Sequence, residues 1–491
     1  MSLIQVKNLT FAYDGSYDAV FEKISFQIDT DWKIGCVGRN GRGKTTLLRL
    51  LMGEFSYQGS ISGSVSFDYF PYPVRDTAMD TMAVLETITD APIWQVQREL
   101  SCLEVDEGVL YRPYGTLSSG EQTKVLLAAL FLNEGRFLLI DEPTNHLDME
   151  ARQTLGKYLS RKKGFMLVSH DRTLLDLCTD HILSIGKEHI EVQRGNFSTW
   201  WENKERREQF EFSENEKLQG QIRELSAAAR QTAQWADKVE KSKYHSRTSG
   251  LRPDRGYIGH KAAKMMQRSK AAERRMEKAI EEKSRLLKNI DTAEDLKLFS
   301  LRHHRDPLAQ ILDLSIQYGD LVVCSGVRFA IHRGDRIALV GKNGSGKSSI
   351  LKLLLGLKIP HTGEVHIESG LQISYVPQDT SALSGDMKSF AAEHHLDEAL
   401  FRAILRKLDF SRSHFDQDLQ LLSGGQKKKV LIAKSLCEKA HLYIWDEPLN
   451  YIDVPSRMQI EKLLLEYAPT LLFVEHDRTF VKKIATQEVL L

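Results

Sequence analysis

The 491-residue chain carries four short motifs twice, in one order and at nearly one spacing. Gly38-Arg-Asn-Gly-Arg-Gly-Lys44-Thr45-Thr46 returns as Gly341-Lys-Asn-Gly-Ser-Gly-Lys347-Ser348-Ser349, 303 residues on. Leu117-Ser-Ser-Gly-Glu121 returns as Leu422-Ser-Gly-Gly-Gln426, and Leu139-Ile-Asp141-Glu142-Pro143 as Ile444-Trp-Asp446-Glu447-Pro448, both 305 on. Ser169-His170-Asp171-Arg172-Thr173 returns as Glu475-His476-Asp477-Arg478-Thr479 after 306. Such a pattern is a duplication. It divides the chain into two copies of one domain, 1–202 and 306–491, around a segment 203–305 of different character. Each copy is long enough to bury its own core.

Each copy alternates short apolar runs with helical patterns. Residues 33–37 and 336–340 read as strands leading into the glycine loops, and 45–52 and 348–355 as the helices that follow. Residues 137–140, 442–445, 165–169 and 470–475 read as further buried strands. The fold class is therefore α/β, a largely parallel sheet with helices packed on it.

A strand, Gly-x-x-x-x-Gly-Lys-[Ser/Thr] and a helix make a phosphate cradle, because backbone N–H groups and the helix dipole converge on phosphate oxygens. The first cradle comprises Gly38, Asn40, Gly41, Gly43, Lys44, Thr45 and Thr46, and the second Gly341, Asn343, Gly344, Gly346, Lys347, Ser348 and Ser349. One match is often a chance turn; two, each after a strand, are not. Lys44 and Lys347 are expected to reach terminal phosphates, and Thr45 and Ser348 to ligate Mg²⁺. Asp141 and Asp446 end apolar strands, 97 and 99 residues after the lysines, where a carboxylate holds Mg²⁺ through water. Glu142 and Glu447 follow and are expected to polarise the attacking water. His170 and His476, 28 and 29 residues further on, suggest γ-phosphate sensors.

Composition excludes several classes. Lys+Arg 67 against Asp+Glu 66 leaves a net charge of +1, so no global charge selects a partner. The longest apolar runs fall far short of the roughly 18–20 residues a membrane helix needs, and Gln5 and Lys7 stand where a secretion signal needs an apolar core. Five scattered cysteines without a Cys-x-x-Cys pair suggest reduced thiols in the cytoplasm. Charge is concentrated instead: residues 241–275 hold eleven Lys/Arg against Asp254 and Glu273.

That cluster lies within the middle segment. Leu218, Ile222, Leu225, Ala229, Thr232, Ala236 and Val239 alternate by four and three, as do Met265, Ser269, Ala272, Met276, Ala279, Lys283, Leu286 and Ile290. Two heptad runs joined by residues 246–259, which contain Gly, Pro and Gly, predict a long antiparallel helical hairpin. The bland alternative is a solvated helical linker. At its tip, Lys241, Lys243, Arg247, Arg252, Arg255, Lys261 and Lys264 are interleaved with Tyr244, His245 and Tyr257. Basic groups neutralise phosphates and rings stack on unpaired bases, which favours an RNA-contacting tip.

Leu-Ser-x-Gly before a helix, with a P-loop about 75 residues upstream and Asp-Glu about 23 downstream, resembles the signature of ABC ATPases. The resemblance implies ATP and Mg²⁺ as cofactors and two domains paired head to tail within a monomer. Lys44 would then work with Ser423, Gly424 and Gly425, and Lys347 with Ser118, Ser119 and Gly120. It also implies adenine stacking on Tyr13 and Tyr318, D-loops at Asp148 and Asp453, and a Q-loop glutamine at Gln378 that joins the Mg²⁺ ligands. Ser119, Glu121 and Tyr72 depart from the family pattern, which leads us to expect the first site to be the more altered one. Asp141-Glu-Pro-Thr-Asn-His-Leu-Asp148 further resembles the ABC-F family, which pairs two ATPase domains through a helical linker without a membrane domain. Members bind the ribosomal E site and extend the linker toward P-site tRNA and the peptidyl transferase centre. The long linker and Trp-Asp-Glu-Pro-Leu-Asn-Tyr-Ile-Asp453 are similar to the Lsa type of antibiotic-resistance ABC-F proteins. The expectation is a cytoplasmic, ribosome-associated ATPase acting on the 70S ribosome, its 23S rRNA and P-site tRNA, not on DNA. A housekeeping translation factor, the energy subunit of a drug exporter and a DNA-repair ATPase with a coiled-coil insertion are the rivals.

Overall fold

In the computed structural model, residues 2–15, 19–145, 147–186, 189–242, 296–319 and 321–491 are described, with 267, 270, 274, 275 and 278 between 242 and 296. The chain forms two compact units, Met1–Trp200 with Ala293–Leu491, and Trp201–Thr292.

In the first copy, β1 (Leu3–Phe11), β2 (Phe21–Asp29) and β4 (Gln58–Ser62) make an antiparallel sheet in the order β2-β1-β4. Inward-facing residues alternate on either side of a register shift: Ile4 and Val6, then Leu9 and Phe11, on β1 are buried. The central sheet holds β3 (Lys33–Gly38), β5 (Ser66–Phe70), β6 (Arg136–Asp141), β7 (Phe165–Val168), β8 (His181–Ile185) and β9 (Ile190–Arg194), in the order β5-β6-β7-β3-β8-β9. All neighbours are parallel except β8 and β9. All four residues of β7 are buried, as expected where helices cover both faces of a parallel sheet.

The second copy repeats this plan. β10 (Ala309–Tyr318), β11 (Leu321–Ile331) and β13 (His361–Ile367) pair as β11-β10-β13. β12 (Arg336–Val340), β14 (Ile373–Val376), β15 (Leu442–Asp446), β16 (Leu471–Val474) and β17 (Gln487–Leu490) form a parallel sheet in the order β14-β15-β16-β12-β17. Its core includes Trp445, whose indole donates to Ser435 Oγ at 3.0 Å, so the ring is buried without an orphaned donor. In both copies the sheet order sets the glycine loop after β3 or β12 beside the carboxylates that end β6 or β15.

The copies meet through a lopsided set of charges. Arg172 donates to Glu461 and stands 3.4 Å from Asp477, all three side chains buried. Lys483 approaches the other Glu461 oxygen at 3.0 Å, and Arg457 approaches Asp477 at 3.3 Å. The duplicated position does not reproduce this clasp: Gly156 stands where Glu461 stands in the other copy, and Arg478 is exposed. Thr173 and Thr479 share a hydroxyl hydrogen bond of 3.1 Å, which places these equivalent residues against each other.

The second unit contains most of a 46-residue helix, Phe197–Ser242, roughly 70 Å long at 1.5 Å per residue. Lys204–Glu208 and Arg206–Glu202 are i,i+4 ion pairs on it. Lys241 belongs to this helix. The expected turn at 246–259 and the tip residues Lys243, Tyr244, His245, Arg247, Arg252, Arg255, Tyr257, Lys261 and Lys264 lie outside the described residues. Among the described residues no helix is long and apolar enough to cross a membrane.

Candidate active site

The two glycine loops end in the same local geometry. Gly43 takes φ +86 and Gly346 φ +86 directly before the helices Lys44–Leu51 and Lys347–Leu354. A Cβ at Gly43 would stand 2.6 Å from a Val20 methyl and 2.8 Å from the Phe21 ring, so both backbone and space require glycine there. Both lysines fold back on their own loops. Lys44 Nζ donates to the carbonyls of Gly38 at 2.9 Å and Arg39 at 3.3 Å, and Lys347 Nζ to those of Gly341 at 2.9 Å and Lys342 at 2.7 Å. Burial lowers both ammonium groups from the usual lysine range.

The carboxylates lie opposite. Thr45 Oγ1 donates to Asp141 Oδ2 at 2.7 Å, and Tyr69 adds a second hydrogen bond to the same oxygen at 3.1 Å. Ser348 bonds Asp446, whose Oδ1 is buried without a partner. Hydroxyl and carboxylate oxygens with an orphaned, buried oxygen form a donor set that fits Mg²⁺. Glu142 and Glu447 both take positive φ, 49° and 47°, which turns each side chain out of its strand end. His170 Nε2 is 3.4 Å from Glu142 Oε1, and His476 Nε2 is 3.3 Å from Glu447 Oε1.

The two glutamates differ electrostatically. Burial, reinforced by Asp141, pushes Glu142 up to about 7, and its Oε1 has no hydrogen-bond partner. Burial acts on Glu447 too, but hydrogen bonds from His476 and Gln378 and the charge of Lys428 outweigh it and hold Glu447 below its ordinary value. Asn450 donates to the other Glu447 oxygen. Burial and the charges of Lys44 and Arg457 keep His170 well below the usual histidine range, hence neutral.

Each loop is completed from the other copy. A cavity of about 410 Å³ is lined by Tyr318, Lys347, Ser348, Gln378, Glu447 and His476 together with Ser119 and Arg152. At the first loop, Asn40 Nδ2 donates to the Tyr451 carbonyl at 2.6 Å and Asn40 N to Asp453 Oδ2 at 3.3 Å. Gly425 packs there so closely that a Cβ would meet Tyr451 O at 2.3 Å and Asn40 Nδ2 at 2.7 Å. Asn343 N faces Asp148 Oδ2 at 3.5 Å in the equivalent place. Tyr13 and Tyr318 are half exposed at the rims, their hydroxyls bonded to Thr46 at 2.8 Å and Ser349 at 3.1 Å. The Glu121 departure keeps the local cap: its carboxylate accepts from Ser118 N at 2.8 Å while Ser118 Oγ accepts from Glu121 N at 3.2 Å. That is a capping box, which Ser423 and Gln426 form in the second copy. Tyr72 is half-buried and the structure gives it no bond to Glu142, unlike Gln378 to Glu447.

The chain matches the ABC transporter family over residues 21–145 and 324–450, more than half its length. It belongs to that family. This ABC protein therefore has two ABC ATPase domains. It is 26% identical to the Ribosome protection protein VmlR of Bacillus subtilis (strain 168) over 98% of this chain and 85% of that one. It is 25% identical to the ABC transporter F family member 2 of Arabidopsis thaliana over 99% and 76%. Among solved structures, the archaeal ribosome recycling factor aABCE1, crystallised with the ribosomal stalk protein aP1, superposes with a TM-score of 0.63 at 20% identity, over 98% of this chain and 87% of that one. That likeness shows the shared two-domain ABC fold.

Some of the ABC protein's site residues escape motif reading. Tyr69 on Asp141 is one. Lys428 and Glu475 are others, and aligning the copies finds them: they replace Thr123 and Ser169 at offsets of 305 and 306.

Proposed function

We propose that this ATPase binds the bacterial 70S ribosome in the cytoplasm and protects it from lincosamides, pleuromutilins and streptogramin A. The observation that carries this reading is the near full-length similarity to a ribosome protection protein. The resemblance of the motif set to Lsa-type proteins supports the drug range. ATP would close the paired domains of one monomer, and the linker 203–305 would reach from the E site toward P-site tRNA and 23S rRNA, its basic tip displacing the drug. Only a closed state with higher ribosome affinity makes ATP useful in such a cycle. Thr45 and Asp141 in the first site, and Ser348, Asp446 and Gln378 in the second, would hold Mg²⁺, which offsets the phosphate charge. Glu142 and Glu447 would orient and deprotonate water, with His170 and His476 sensing the terminal phosphate.

The test is a cell-free bacterial translation reaction stalled by lincomycin or tiamulin, to which purified protein and ATP are added. Rescue of synthesis without any membrane is the expected result. A housekeeping translation role is the second reading, favoured by the 25% identity to a plant ABC-F relative whose name carries no drug. No rescue despite ATP-dependent ribosome co-sedimentation would select it, and no ribosome binding at all would overturn both.

The glutamates also separate the two sites by pH. A base must be ionised, and kcat/KM reports the free enzyme. With Glu447 replaced by glutamine, first-site kcat/KM should rise several-fold from pH 6 to 8 as Glu142 ionises near 7. With Glu142 replaced, second-site kcat/KM should stay nearly level over that range. Parallel profiles would contradict the assignment.

A further inference from the structure

Behind the second site lies a buried cation that the first site lacks. Lys428, on the helix Gly424–Cys437, is 2% exposed. Its ammonium donates to the carbonyl of Pro377 at 2.7 Å and to that of Asp446 at 3.3 Å. Those carbonyls belong to the peptides that lead directly into Gln378 and Glu447. One side chain thus joins the loop that carries Gln378, the strand end that carries Glu447 and the helix that opens at Ser423. Glu475, Asp446, Glu447 and Asp379 supply the negative field that keeps the ammonium there. Glu475 is itself buried, accepting from Leu449 N at 2.7 Å and His476 N at 3.1 Å. In the first copy the same positions are Thr123 and Ser169, neither of which carries a charge.

The two glutamates are held differently. Glu447, whose positive φ depends on how the Asp446 peptide is turned, has partners on both oxygens. Glu142 has the same backbone with no lysine behind it, and its Oε1 makes no hydrogen bond, His170 Nε2 standing 3.4 Å away. We propose that Lys428 is a positioning residue of the second ATP site, pinning the peptides before Gln378 and Glu447 to the helix Gly424–Cys437 so that this site turns over faster than the first. The inference rests on Glu447 being the residue that activates water. A small displacement of such a group costs more in turnover than in nucleotide binding, because the geometry matters most at the reacting atoms.

The experiment isolates each site in the full-length protein. With Glu142→Gln in the background, Lys428→Gln is expected to lower second-site kcat about tenfold with KM within about twofold. Lys428→Arg, which keeps charge and donors, should stay within about threefold of the parent. With Glu447→Gln in the background, Lys428→Gln should change first-site kcat by less than about twofold. Hydrogen exchange supplies a readout independent of turnover: peptides covering 375–380 and 445–449 should exchange faster in Lys428→Gln, while the equivalent first-copy peptides do not change. An equal fall in both backgrounds, a rise in KM at constant kcat, or equal loss with glutamine and arginine would each overturn the proposal. If the glutamine variant fails to melt cooperatively, the arginine variant decides alone: loss of second-site kcat with unchanged exchange overturns it, and retention of both supports it. Failure of the Glu447 reading looks different, since Glu142→Gln with Glu447→Gln would then keep second-site hydrolysis.

Discussion

Replacing Glu142 and Glu447 together with glutamine lowers ATP turnover by about 10²–10⁴-fold, the range a positioned general base contributes. Glutamine keeps the shape of each side chain, so the lining of the cavity of about 410 Å³ beside Lys347 changes in charge and not in volume. ATP affinity should accordingly stay within about threefold, the pattern of an interaction made in the transition state. Either single variant leaves the other site intact and so loses far less. If hydrolysis releases the protein from its target, the double variant accumulates on ribosomes in ATP and not in ADP. Single-turnover hydrolysis and co-sedimentation measure the two halves of this expectation. Residual turnover near wild type would remove the glutamates from the mechanism, and equal retention with both nucleotides would break the link between closure and ribosome binding.

Lys429→Met destabilises the second domain by about 3–5 kcal/mol, the cost of leaving a buried charge without its partner. Lys429 Nζ reaches Asp453 Oδ2 at 2.7 Å and the Leu408 carbonyl at 2.9 Å, with both charged side chains almost inaccessible to water. Asp453 cannot relax into solvent, because its other bonds hold it: it caps the helix Val454–Tyr467 through Ser456 N at 3.0 Å. It also accepts from Asn40 N of the first glycine loop at 3.3 Å. For a domain of this size the loss is a fall of about 10 °C in apparent melting temperature. Asp453→Asn in the Lys429→Met background should recover part of it, since the orphaned charge is removed; a double-mutant cycle measures the coupling. A loss below about 1 kcal/mol would show that water reaches Asp453 when the lysine is gone.

Lys428 and Lys429 show where sequence reading stops. In the sequence they sit in a run of three lysines, which looks like a solvated face. In the fold, 428 and 429 are buried and only Lys427 stays partly exposed. Nothing local distinguishes them; the carbonyls and carboxylates that receive them come from 18 to 51 residues away. The glycine loops, Asp141-Glu142 and Asp446-Glu447 were legible for the opposite reason. Binding phosphate demands particular residue types at fixed local spacing, so chemistry writes itself into short motifs. The strands β3, β6, β7, β12, β15 and β16 followed from buried apolar runs beside those motifs, whereas the antiparallel sheets β2-β1-β4 and β11-β10-β13 were not read. Nor was the antiparallel β9, because its half-buried Ile190, Glu191 and Val192 lack a clean alternation. The pairing of the two copies was readable only through the family resemblance, whereas the one-sided Arg172 clasp depends on Glu461 and could not be read from either motif alone.

Glu475 and Lys428 also constrain how two copies of one gene segment drift apart. A domain that gained the carboxylate first would still have offered it two backbone donors, Leu449 N and His476 N. A domain that gained the ammonium first would still have offered it two carbonyls, at Pro377 and Asp446. Neither single-substitution ancestor would have carried a bare ion in its interior. Whichever copy changed first, each lone charge would have kept two backbone hydrogen bonds until its counter-charge arrived.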